Sequence, residues 1–199
     1  MEDWVHRALA RWPNVPALFG WLQLDRRGRW LVRNELISRP QIIDTIGRNY
    51  AADEQGRWYF QNGPQRGYVA LETAPLVLRV RGDGDSVQTH NELIVEQPRA
   101  VYLDEEGSLL LMTEHGPGAF DGQDLPWALE RLRSAGGESI DDALPVALAL
   151  PSGARTALTL RWSAALSLPV QRLDNAEAPA ALGFQRDPQP DPPAGSALN

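Results

Sequence analysis

The sequence predicts an α+β protein dominated by antiparallel β-hairpins, with a few short helices and a disordered, proline-rich C-terminal tail. Three observations carry that class. A short segment recurs: Asp25-Arg26-Arg27-Gly28-Arg29-Trp30-Leu31-Val32 returns as Asp53-Glu54-Gln55-Gly56-Arg57-Trp58-Tyr59-Phe60, and more loosely as Asp104-Glu105-Glu106-Gly107-Ser108-Leu109-Leu110-Leu111. Helical spacing of apolar residues is confined to short windows bounded by proline and glycine. From about Asp174 onward, Pro179, Pro188, Pro190, Pro192 and Pro193 sit among Ala, Asp, Gln and Gly, a composition too poor in apolar side chains to offset the entropy of ordering.

The shared Asp-x-x-Gly unit is turn chemistry. Asp hydrogen-bonds the backbone at the entry of a type I turn, and Gly three positions later supplies the positive φ that closes a tight hairpin. Calcium is a poorer reading, because the dense oxygen spacing and terminal Glu of an EF-hand are missing. Phe19, Trp21, Leu22 and Leu24 lead into the first corner, and Val101 and Leu103 into the third. Asn49-Tyr50-Ala51-Ala52, before the second, reads either as a strand or as the end of a helix.

The remaining elements follow in order. Trp4, Val5, Ala8, Leu9 and Trp12 make one face of an N-terminal helix that Pro13 ends. Ser38-Arg39-Pro40 starts a second helix, with Ser38 as cap and Ile42, Ile43 and Ile46 on one face. Gly67 to Leu71 and Leu76 to Val80 are strand-like segments, and Arg81 to Asp85 is a turn. Asp124-Leu125-Pro126 starts a helix carrying Leu125, Leu129 and Leu132, with Arg131 and Arg133 in its last turn, and ending near Gly136-Gly137. Val146 to Leu150 and Thr156 to Trp162 alternate like strands around Pro151-Ser152-Gly153, and Leu166 to Leu173 adds one more. The organisation expected is a repeat-containing α+β domain over 1–136, a further β-hairpin region over 137–173, and a loose tail over 174–199.

Composition bounds function. The 199 residues are 43% apolar and 23% charged, as in ordinary globular proteins, and the net charge of −7 disfavours nucleic acid and anionic membranes as partners. Ten arginines and seven acids fall in residues 1–66, so this half has the better claim to a small anionic ligand or an acidic protein partner. There is no cysteine, which removes disulfides, thiolate metal sites and cysteine nucleophiles. There is also no lysine, which removes Schiff-base and P-loop lysine chemistry. No apolar run approaches membrane-spanning length and the start has no signal-peptide shape, so a cytoplasmic location is expected.

No catalytic, cofactor or metal residues are assigned. His6, His90 and His115 form no ligand spacing. His90 lies in the polar run Gln88 to Glu92, which a solvated turn also explains. Ser86, Ser152 and Ser163 lack a nucleophile-elbow context, and Pro117 removes a donor that a phosphate cradle at Gly116-Pro117-Gly118 would need. The speculative ligand site is Arg48, Asn49, Tyr50, Gln61, Asn62, Gln65 and Arg66. If the second corner is a turn, these flank it, and guanidinium forks and amides beside aromatic rings recognise carboxylates, phosphates or planar rings. The competing reading makes Asn62-Gly63-Pro64 a second turn, with Arg48 and Arg66 pairing Asp53 or Glu54.

From Trp30 to Leu132 the chain resembles a bacterial family of uncharacterised proteins. The shared features are a tryptophan strand, an Ile-rich helix, the Gly56-Arg57-Trp58-Tyr59-Phe60 strand, Gln65-Arg66, Glu72-Thr73-Ala74-Pro75 and a closing helix. The resemblance implies an α+β fold of repeated motifs and a suspected ligand-binding or signalling role, with no established enzymatic activity and no catalytic residues. The region after Gly137 and the tail depart from that pattern. The function expected is a non-enzymatic ligand-binding or regulatory module. The alternative is a hydrolase using His90 or His115 with Asp121 or Glu114.

Overall fold

The three repeated corners at Asp25, Asp53 and Asp104 each close a hairpin and are built alike, whereas Asp44-Thr45-Ile46-Gly47, with the same spacing, lies within a helix. The computed structural model describes residues 2–12, 15–82 and 84–191. Asp25, Asp53 and Asp104 each accept backbone N–H bonds through Oδ1 from the residues two and four positions on, at 2.7–3.0 Å. Gly28, Gly56 and Gly107 take φ of 69°, 76° and 87° and donate back to the Asp carbonyl. A side chain other than glycine is strained at this φ. The corners join β1 (Leu18–Leu24) to β2 (Trp30–Val32), β4 (Tyr50–Ala52) to β5 (Trp58–Asn62), and β10 (Ala100–Leu103) to β11 (Leu109–Thr113). Tyr50 to Ala52 is therefore a strand.

The repeat is larger than the corner. Each second strand turns again into a third: β3 (Glu35–Leu36), β6 (Gln65–Leu71) and β12 (Gly116–Phe120). Arg33 and Asn34 make the first of these turns with φ of 52° and 68°, the paired positive angles of a tight hairpin turn. The unit is thus a three-stranded meander. Helix α2 (Pro40–Arg48) follows β3, and β7 (Leu76–Val80), β8 (Val87–Thr89) and β9 (Ile94–Val95) follow β6.

Two sheets result. The first runs β3-β2-β1-β6-β5-β4, with β1 parallel to β6. The second runs β13-β14-β15-β10-β11-β12-β7-β8-β9, where β13 is Leu132–Ser134, β14 Arg155–Arg161 and β15 Ser167–Arg172. Parallel pairings of β15 with β10 and of β12 with β7 join its hairpins. One core lies between the sheets, where Leu24, Trp30, Trp58 and Val69 meet Leu76, Val77, Leu110 and Ala119. A second core covers the other face of the larger sheet, where Leu103, Leu109 and Leu111 meet Ala128 of α3 (Leu125–Leu129) and Ala143 and Ala147 of α4 (Ile140–Leu148). The alternation along β11 assigns Leu110 to one core and its neighbours to the other.

Several expectations change. Helix α1 spans Asp3–Arg11 and buries Val5, while Trp4 and Trp12 stay exposed; its expected stop at Pro13 lies outside the described residues, as does Asp83 of the Arg81–Asp85 turn. Arg39, not Ser38, precedes α2, and no side chain caps it. The helix expected through Leu132 stops at Leu129, because Leu132 to Ser134 pair with β14. Val146 to Leu148 are helical, not strand: Ser139 caps α4 by accepting from Asp142 N, and Ala143 and Ala147 form its buried face. The hairpin of region 137–173 is continuous with β10 in one sheet.

The tail also departs from expectation as far as Asp191. Helix α5 (Ala178–Leu182) buries Ala178 and Leu182, and Phe184 enters the core between the sheets. Beyond it, Leu71 N donates to the Arg186 carbonyl at 2.7 Å and Gln185 N to the Gly56 carbonyl at 3.0 Å. A few well-placed apolar residues suffice because they complete a core that is otherwise open. Residues 192–199 lie outside the described ones.

Candidate functional site

The seven residues expected to hold a ligand lie along α2, β4, β5 and β6, and the structure spends most of their polar groups internally. Asn49 donates to the Glu2 carboxylate at 2.9 Å and to the Thr45 carbonyl at 3.0 Å, and its Oδ1 accepts from Glu2 N. Arg48 pairs Glu2 at 3.2 Å. These bonds clamp the start of α1; the Asn49 and Trp4 donors, with Arg48, hold the Glu2 carboxyl below its usual range. Tyr50 donates to the Pro75 carbonyl. Gln61 is fully buried, donates to the Gly63 carbonyl and accepts from Arg66, whose guanidinium lies 4.3 Å over the Tyr59 ring. Gln65 donates to the Pro16 carbonyl, and Asn62 is exposed at the end of the hairpin that Gly63 and Pro64 turn. Asn49, Gln61 and Arg66 are therefore neighbours, Gln61 N bonding the Asn49 carbonyl at 2.9 Å, but as scaffold. Asp53 is bound by Arg57 rather than by Arg48 or Arg66.

His90 is not on a solvated turn. Val77 N donates to its Nδ1 at 3.3 Å, and its ring lies 5.2 Å from Trp30 and 5.8 Å from Tyr50. An accepting Nδ1 places the proton of the neutral ring on Nε2, which is closed off from solvent and has no partner among the described residues. Burial, with the Arg79 charge, pulls the imidazole down to about 3.

His115 Nε2 lies 2.7 Å from the Ile94 carbonyl, which only accepts, so the ring donates there. Glu114 Oε1 is 3.9 Å from that nitrogen, beyond hydrogen-bond reach. Oε1 instead accepts from Glu96 N and Gln97 N at 2.6 and 3.1 Å. Burial works to raise the Glu114 carboxyl, but these backbone donors and His115 outweigh it and hold the group below its usual range. The Asp121 carboxylate accepts from Gln123 N. No histidine–carboxylate hydrogen bond forms among the described residues, and no group of side chains there is suited to hold a metal.

Among the hollows of the described residues, one lies where the two sheets meet. A cleft of about 540 Å³ has Tyr50, Ala52 and Trp58 of the first sheet on one wall and Met112, Gly116 and Pro117 of the second on the other. Arg99, Asn91, Glu114 and His115 stand along it, and Gly183 of the tail closes one end. Gly116 is required here, since a β-carbon would sit 3.0 Å from the Trp58 ring. A smaller hollow of about 280 Å³ adjoins at Asn91, lined by Trp30, Asp44, Arg48 and His90. Tyr50 is the residue of the expected site that lines the larger cleft. Arg99 was not singled out, because nothing in its local pattern distinguishes it from the other eighteen arginines.

Among the described residues no helix is long and apolar enough to cross a membrane. None of the curated proteins matches the chain. Among solved structures, a DUF1285 family protein from Silicibacter pomeroyi DSS-3 is similar in fold, with 16% identity, a TM-score of 0.51, and coverage of 79% of this chain and 84% of that one. A DUF1285 family protein from Shewanella baltica OS155 matches over 52% of this chain and 85% of its own, with 15% identity and a TM-score of 0.38. The likeness to the first of these shows the fold alone; the expectation of an uncharacterised family is borne out by a family model that covers most of the chain. Residues 1–189 match the family model DUF2944, described as "Protein of unknown function (DUF2946)", and the chain belongs to that family.

Proposed function

We propose that this protein is a non-enzymatic binding module that holds a small molecule in the cleft between its two sheets. The observation that carries the reading is the cleft itself. Its volume of about 540 Å³ falls in the range of small-molecule sites, and apolar side chains from both sheets form its walls. Catalysis needs a nucleophile or base held against a partner; the histidines and carboxylates near this cleft are instead engaged with backbone groups.

The test is a chemical-shift titration of the full chain with a set of small aromatic and aliphatic fragments. Ala52→Trp, on an exposed strand position at the cleft wall, fills the space without entering the core. The expected result is saturable binding by the wild-type protein and its loss in Ala52→Trp, with far-UV circular dichroism unchanged. Fragments that bind equally well after Ala52→Trp, or none that bind the wild type, overturn the reading.

A further inference from the structure

We infer that the cleft recognises a monocarboxylate with an apolar body, the carboxylate being held by Arg99; the inference rests on the binding reading above. Most polar groups along the cleft are already bonded within the protein. Asn91 uses both ends of its amide, donating to the Gly47 carbonyl and accepting from Thr89. Thr113 donates to the Gly116 carbonyl, and Tyr50 to the Pro75 carbonyl. Glu114 carries a charge already met by the Glu96 and Gln97 N–H groups, and its second oxygen is closed off from solvent. Arg99 differs from all of these. Its backbone is tied to the Met112 carbonyl at 2.7 Å, while among the described residues its exposed guanidinium has no ion pair and no hydrogen bond. What the cleft offers a ligand is therefore one planar, permanently charged fork of donors.

The sign and size of the ligand charge follow. A single guanidinium forms two parallel bonds to one carboxylate. A dianionic phosphate has no second permanent cation along the cleft to meet its second charge. The rest of the ligand must be apolar, because Tyr50, Trp58, Met112 and Pro117 leave it little else to touch.

The probes are 3-phenylpropionate and its neutral isostere 3-phenylpropanamide, titrated into the full chain by isothermal calorimetry or chemical shift. The acid is expected to bind at least about tenfold tighter than the amide, the scale of a charged hydrogen bond. Arg99→Gln removes that preference and leaves the amide unaffected, whereas Arg99→Lys retains part of it. Equal affinities in the wild type, or a preference that survives Arg99→Gln, overturn the carboxylate assignment and leave the cleft reading standing. If neither probe binds, or both still bind Ala52→Trp, the cleft reading falls and the carboxylate assignment with it.

Discussion

His90 ties the first corner to the second sheet: a β-carbon on Gly28 would lie 2.6 Å from the His90 β-carbon, and the imidazole accepts from Val77 N. That bond requires an unprotonated Nδ1. The folded imidazole titrates at about 3, against 6.5 for a free one, so between those values the unfolded chain binds more protons. The His90 contribution to stability is present above pH 6.5 and is lost as pH drops toward 3, by up to about 1.4 kcal/mol per pH unit. Urea unfolding at pH 7, 6 and 5 reads this directly. The decline between pH 6 and 5 should vanish in His90→Gln, whose amide oxygen can still accept from Val77; a flat wild-type profile over that interval would exclude the assignment. At this scale the sequence was least legible. Of the residues it brought forward, Tyr50 lines the cleft between the sheets, but Arg48, Asn49, Gln61 and Arg66 look like ligand-binding groups until their partners are known. Those partners are Glu2, Thr45, Gly63 and, for Arg66, Gln61 and the Tyr59 ring; for Arg48 and Asn49 the decisive one, Glu2, is 46 and 47 positions away.

Among the elements, the corners provide an internal control. Asp25 and Asp53 make the same two backbone bonds and the same 2.7 Å pair to an arginine Nε. They differ in surroundings. The Arg29 side chain is 49% exposed, whereas Arg57 is 8% exposed, lies over the Tyr68 ring, and also meets Asp191 of the tail. Asp53 further accepts from the Tyr68 hydroxyl at 3.0 Å. Removing one partner of a buried pair costs about 3–5 kcal/mol, whereas losing an exposed corner costs about 1–2 kcal/mol. Asp53→Ala should therefore lower the urea midpoint well beyond Asp25→Ala, and equal effects would show that burial of Arg57 contributes nothing. Corners were legible because all their bonds fall within five residues. Strand β13 was not, because its pairing with β14 makes Leu132 a strand residue although its spacing is helical. In α4 the Ser139 cap is a helix-start signal, but Val146 to Leu150 taken alone has the apolar pattern of a strand.

For the whole molecule, the tail decides whether the core between the sheets is closed. Phe184 is 3% exposed and packs in the same cluster as Leu71, Trp58 and Leu182. Phe184→Ala should cost about 3–5 kcal/mol, measured by thermal or urea unfolding; a loss below about 1 kcal/mol would mean the segment merely lies on the surface. The repeat-based α+β architecture could be read from three copies of one corner. The tail could not, since composition reports the average tendency of a segment and is silent on two or three side chains that fill a gap left by residues far earlier.

That gap has a consequence for how the protein is made. The Gln55–Gln185 link spans 130 residues, which a translating ribosome covers in on the order of ten seconds at roughly 5–20 residues per second. During that interval the nascent first sheet can form its hairpins, each being local, while the place awaiting Phe184 stays wet. The core between the sheets is finished only when this later-made segment arrives to cover what the earlier strands began.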